Sequence, residues 1–150
     1  MARNASRATA GVLVRLTGSL LCLIVAAIHI IDQGGIPGSK TPQYVGIGCW
    51  ILEVLGLLTA IALLTRPAFP GAWFVAIGVG AGPLIGYVLS RGPGLPSYTD
   101  DVGNWLEPLG LLSLAVEATL IVLAVSVFIR SLPTHSPRPA SASAAVRNRG

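Results

Sequence analysis

The residues of this chain that could do chemistry are few: six acids, two histidines and two cysteines. His29 and Asp32 form a His-x-x-Asp pair. A spacing of three puts both on one face of a helix, and an imidazole beside a carboxylate suits a divalent transition metal or a proton relay. Glu53 and Glu117 stand inside long apolar runs. An acid held in hydrocarbon is costly, by at least about 2.5 kcal/mol for an aspartate at a helix centre on insertion scales. Each glutamate is therefore expected to face the interior of a helix bundle. There it would serve either as a structural hydrogen-bonding group or as a ligand for a proton, a cation or a polar substrate. Glu107 opens the last apolar run. His29, Asp32, Glu53, Glu107 and Glu117 together make the candidate cation or proton site, with a divalent metal ion as the cofactor such a set suits. The alternative for His29 is a hydrogen bond to Asp32 or Glu107 that only fixes helix packing.

Other chemistries find no support in the spacing. Cys22 and Cys49 form no C-x-x-C pair, so they read as small buried hydrophobes rather than a redox or zinc motif. His29 is the only histidine in an apolar run, which disfavours haem held by two histidines; His135 falls in a polar tail and reads as solvated. No nucleophile–base–acid set, phosphate loop or H-E-x-x-H motif is present. The sequence thus points away from an enzyme.

The elements that must position these residues are membrane helices. Of 150 residues, 53% are hydrophobic and 11% charged, and the mean hydropathy is +0.74. Soluble domains carry about 25% charged residues, so the composition excludes a soluble globular enzyme, a disordered protein and a nucleic-acid-binding domain. A helix crosses the hydrocarbon core with about 20 apolar residues. Four runs qualify, 12–31, 44–65, 70–91 and 103–129, separated by DQGGIPGSKTPQ, RPAFPG and SRGPGLPSYTDD. With no water to satisfy backbone groups in lipid, the runs must be helical. The expected fold is all-α: a four-helix transmembrane bundle over 11–130, with a cytoplasmic segment 1–10 before it. The tail 131–150, SLPTHSPRPASASAAVRNRG, has too little apolar mass to pack and is expected to be disordered, its arginines near anionic lipid headgroups.

Orientation follows the basic residues. Arg3, Arg7, Arg15, Arg66, Arg130, Arg138, Arg147 and Arg149 fall on one side, and Lys40 and Arg91 on the other. The positive-inside rule then places both termini in the cytoplasm, as in a multi-pass protein of a bacterial plasma membrane. Tyr44, Tyr98 and Trp105 would mark the outer interface and Trp73 the inner one. A rival reading is a cleaved signal peptide, from the basic start, the apolar run and Val25-Ala26-Ala27. The length of that run and its place in a repeat favour a retained helix.

The repeat is LEVLGLLT at 52–59 against LEPLGLLS at 106–113, identical at six of eight positions. Each follows a Gly-apolar-Pro turn, Gly35-Ile36-Pro37 or Gly94-Leu95-Pro96. Duplicated helical hairpins in parallel orientation would explain this; chance likeness between Leu- and Gly-rich helices is the alternative. The motif pairs Glu53 with Glu107. Depth pairs Glu53 with Glu117, since each lies 13 residues before an inner arginine, Arg66 or Arg130, or roughly 20 Å at 1.5 Å per residue. On depth, Glu53 and Glu117 are expected to share one cavity closed by His29 and Asp32. Gly78, Gly82 and Gly86 recur every four residues and are expected to form a flat stripe against a neighbouring backbone. Pro83 should kink their helix.

The string from Ser90 to Ala124, with its GLP turn, the Trp-x-Glu-Pro-Leu-Gly start (Trp105 to Gly110) and the later Ser-x-x-x-Glu (Ser113 to Glu117), resembles uncharacterised four-span integral membrane proteins of actinobacterial type. His29 and Glu53 occupy fitting places in the earlier helices. The resemblance spans about two-thirds of the chain and implies the four-span fold but no activity. Small four-span multidrug exporters also use a membrane glutamate, but in the first helix, where this chain has His29 and no Glu. The function expected is an outward-facing, acid- and His-lined intramembrane site for a cation, proton or small polar ligand. The alternative is an accessory or structural subunit whose polar residues only organise helix packing. The partners expected are the lipid bilayer and either another membrane protein or further copies of the chain, with no nucleic acid.

Overall fold

A computed structural model describes residues 2–36, 38, 40–66 and 69–132. Four helices account for most of them: α1 (Ala2–Asp32), α2 (Gln43–Thr65), α3 (Gly71–Arg91) and α4 (Pro108–Ser131). Among the described residues the only β pairing is an isolated bridge between Leu95 and Tyr98. All four helices are long and apolar enough to cross a membrane. Their outward surfaces carry Leu13, Leu20, Leu57, Leu58, Phe74 and Val122, all exposed, an apolar coat that suits hydrocarbon and not water. The chain is an all-α four-helix bundle, and these helices mark it as a membrane protein.

Helix boundaries depart from the apolar runs in two places. Residues 2–10 are helical and continuous with α1, as their alanines and arginines favour. The fourth helix begins at Pro108, not near Gly103. Proline fits the first turn of a helix because its missing N–H would have no partner there, and Gly103, with φ of +81°, takes a turn conformation instead. Pro83 lies within α3 without ending it. Pro37 and the tail beyond Leu132, with His135, Arg138, Arg147 and Arg149, lie outside the described residues.

The helices pack as two hairpins, α1 with α2 and α3 with α4, joined along α1–α4 and α2–α3. Helix α1 also meets α3 across the bundle, whereas the backbones of α2 and α4 stand apart. The core gathers Cys22 and Val25 of α1, Leu63 of α2, Trp73 and Ala76 of α3, and Leu120 and Ala124 of α4. It is weighted toward the end of the bundle that carries Arg66 and Arg130, here the basic end. Trp73 belongs to this core, 5% exposed, and is not the interfacial anchor its position suggested. Toward the other, acidic end, where the turns after α1 and α3 lie, the packing opens.

Two glycines bring backbones together. A Cβ on Gly56 would stand 3.1 Å from the Cys22 carbonyl oxygen, and one on Gly80 would stand 3.0 Å from that of Glu117. The stripe of Gly78, Gly82 and Gly86 does something else. A Cβ on any of the three would meet nothing within 4 Å, so no neighbouring backbone rests on the stripe as expected. The reason is rotation: α3 turns Gly80, off the stripe, toward α4, and the stripe itself lines an open space.

Candidate functional site

That space is a cavity of about 820 Å³. Its walls come from all four helices: Ile28, His29 and Asp32 of α1, Cys49, Leu52 and Leu55 of α2, the glycine stripe of α3, and Gly110, Ser113 and Glu117 of α4. Lys40, Arg91, Tyr98, Asp101 and Glu107 stand around its acidic end. The walls are mostly apolar, with polar groups at one end and one carboxyl deep inside.

The acidic end is built around Arg91, the last residue of α3, where a cation complements the helix dipole. Its side chain is 10% exposed. One terminal nitrogen donates to Glu107 Oε2 at 2.8 Å, and the other donates to Ser90 Oγ at 3.0 Å and to Asp101 Oδ2 at 3.4 Å. The guanidinium carbon lies 4.2 Å from the centre of the Tyr87 ring. The same residues fold the 92–107 loop. Gly103 N donates to the Arg91 carbonyl at 2.9 Å, Tyr87 donates to the Trp105 carbonyl at 2.7 Å, and Tyr98 donates to Asp101 Oδ2 at 2.6 Å. Burial, and then the Asp101 carboxylate that accepts its hydrogen, push the Tyr98 phenol well above the usual tyrosine range. Across the mouth, Tyr44 donates to the Pro96 carbonyl at 2.8 Å. Among the described residues this is the only side-chain hydrogen bond between the two hairpins.

The α1–α2 turn supplies two further pairs. Lys40 forms an ion pair with Asp32, and Gln33 donates to Glu53 Oε1. His29 Nδ1 lies 2.9 Å from the Val25 carbonyl oxygen one turn back. A carbonyl only accepts, so this contact puts the proton on Nδ1 and leaves Nε2 as the acceptor of the neutral ring.

Among the described residues three buried side-chain atoms have no hydrogen-bond partner, Gln33 Oε1, Arg91 Nε and Glu117 Oε2, and Glu117 is the one set deep in the cavity wall. It is 1% exposed, Ser113 donates to its Oε1, and its Oε2 has no hydrogen-bond partner among the described residues. A buried acceptor without a partner costs about 1–3 kcal/mol, and a charged one more.

Of the five residues expected to form a site, His29, Asp32, Glu107 and Glu117 line the cavity. Each has its own partner there, in Val25, Lys40, Arg91 and Ser113. Glu53 does not line it. Helix α2 turns Leu52 and Leu55 to the cavity, and Glu53 meets Gln33, which is 4% exposed just past the end of α1. Glu53 and Glu117 therefore do not share the space. Among the described residues no three His, Cys, Asp or Glu side chains come together as metal ligands. Cys22 is buried as expected, and Cys49 is half-buried on the cavity wall.

Several participants lay outside the sequence reading. The four-residue spacing of Ser113 and Glu117 on one helix face was a signal for their bond. Gln33, Lys40 and Arg91 carried no such local sign, because their partners come from across a turn or a loop. No protein-family profile, curated protein or solved structure matches this chain.

Proposed function

We propose that the chain is a small binding protein of the bacterial plasma membrane, with both termini in the cytoplasm and its cavity toward the outside. Glu117 is the anchor for a cation or for a small ligand bearing a polar hydrogen-bond donor. The observation that carries this reading is the buried Glu117 Oε2, unpartnered beside an 820 Å³ cavity. A purely structural glutamate at that depth would be expected to use both oxygens, since the helix gains nothing from leaving one bare. A ligand N–H or a cation supplies what is missing. The positive-inside bias supports the orientation, and the resemblance to four-span actinobacterial proteins supports the compartment.

The accessory-subunit reading has its own support at Arg91, Asp101 and Glu107, which pair with one another and hold a loop. Those residues form the frame of the site rather than its ligands. The test is binding of ethylammonium to the purified protein in lipid nanodiscs, followed by calorimetry. The expected result is saturable binding that Glu117→Gln weakens by about tenfold or more, with helicity and melting temperature retained. Equal binding by the variant would remove Glu117 from the site.

A further inference from the structure

Building on that reading of Glu117, we propose that the ligand is a single-chain alkylammonium amphiphile that reaches the carboxyl sideways from the bilayer, between α2 and α3. Two features of the cavity support this route. First, its walls come to the lateral surface. Ile51, Leu55 and Phe74 line it and are 56%, 41% and 63% exposed, so the space is open where hydrocarbon, not water, surrounds the helices. Between these residues the wall is Gly78 and Gly82, where even a Cβ would touch nothing. The result is a slot with apolar sides at the level of Glu117, whose carbonyl oxygen lies against Gly80 on the same stretch of α3. Second, the acidic end is crossed by paired groups. The Lys40–Asp32 and Arg91–Glu107 ion pairs and the Tyr44–Pro96 hydrogen bond stand there. A cation arriving from water would have to pass two cationic side chains and separate charges that are already matched.

The two features select complementary parts of one molecule. The slot takes a hydrocarbon chain, which needs no hydrogen bonds. The bare Oε2 of Glu117 takes an ammonium head that donates to it. At this depth the slot offers a phosphate only apolar wall and the Glu117 carboxyl, because Lys40 and the terminal nitrogens of Arg91 are held by carboxylates at the mouth, and the one guanidinium nitrogen left without a partner among the described residues, Arg91 Nε, is buried there. The cavity volume falls in the range of about 300–1,000 Å³ usual for small-molecule sites.

The experiment compares dodecylammonium, ethylammonium, dodecanol and a single-chain phosphatidylethanolamine on the protein in nanodiscs, with binding referred to the free aqueous concentration and to empty nanodiscs. Wild type, Glu117→Gln, Gly78→Leu and Gly82→Leu are compared, with melting temperature as the check on folding. The expected result is saturable dodecylammonium binding that Glu117→Gln and either glycine variant each weaken by about tenfold or more, while the glycine variants keep the wild-type melting temperature. If ethylammonium binding depends on Glu117 but dodecylammonium ignores Gly78→Leu and Gly82→Leu, the lateral slot is overturned and the Glu117 site stands. If neither amine responds to Glu117→Gln, both fall. Dodecanol binding as well as dodecylammonium would overturn the ammonium head, and tighter binding of the phosphatidylethanolamine would overturn the exclusion of phosphate.

Discussion

Glu117 and Ser113 show how a carboxyl is held inside a lipid-facing bundle. The hydroxyl is one helical turn from the acid and donates to one oxygen, and among the described residues nothing else reaches the other. Removing the donor should therefore hurt more than neutralising the acid. Ser113→Ala is expected to lower stability by about 1–3 kcal/mol, because a second buried oxygen is left without a partner, whereas Glu117→Gln keeps an acceptor for Ser113. Reversible unfolding in mixed micelles gives both values, and a smaller loss for Ser113→Ala would show that the hydroxyl is dispensable. Tyr98 offers a pH-dependent check. Its phenol is raised by burial and by the Asp101 carboxylate, so its neutral form is favoured in the folded loop. That contribution is complete below the unfolded tyrosine value of about 10 and is lost as the pH rises toward the higher folded value. The ultraviolet difference spectrum between wild type and Tyr98→Phe should show a phenolate appearing only above about pH 10. A transition below that point would contradict the buried hydrogen bond. At this scale the sequence was legible for groups that stand out by type and depth, such as Glu117 and His29. It was not legible for Gln33 or Arg91, whose importance comes from partners 20 and 16 residues away.

Helices are easier to read from sequence than the faces they turn. All four spans could be placed because lipid admits few alternatives for an apolar run of that length. The rotation of each about its axis depends on which side chains fit between neighbours, and in α2 and α4 the apolar residues surround the helix and carry little amphipathic signal to reveal it. Glu53 illustrates the consequence. Its depth was readable, but the face of α2 that carries it turns to Gln33 and not to Glu117. The glycines illustrate it again. The regular stripe invited a packing role, yet Gly80, outside the stripe, is the residue against which α4 rests. The two sites should respond oppositely to the same substitution. Gly80→Leu must displace the Glu117 backbone or Ile121, and overpacking of this kind costs about 1–3 kcal/mol. Gly82→Leu extends into open space and should change stability by less than about 0.5 kcal/mol. Thermal melts of the two variants in detergent decide the matter, and a destabilised Gly82→Leu with a normal Gly80→Leu would return the packing role to the stripe.

Across the whole molecule, charge and packing are polarised along the same axis. The basic end carries Arg66 and Arg130 and most of the core, with Leu63, Trp73 and Ala124. The acidic end carries both ion-paired turns and the cavity mouth. This polarity fixes what the cavity can meet, because a bilayer places the two ends in different compartments. Eight of the ten basic residues belong to the basic end or to the segments continuing from it, and the two at the acidic end, Lys40 and Arg91, are held by carboxylates. Arginine and lysine resist translocation whereas acids contribute little to orientation, so the basic end should lie in the cytoplasm. The two ends can be tested separately. A reporter fused after Gly150 should behave as cytoplasmic, and Asp100→Cys, placed in the exposed 92–107 loop of a Cys49→Ser background, should react with a membrane-impermeant maleimide on intact cells. Labelling of Asp100→Cys only after the cells are opened, together with an external reporter, would invert the molecule. The cavity would then face the cytoplasm, and the compartment from which an ammonium ligand reaches Glu117 would change with it.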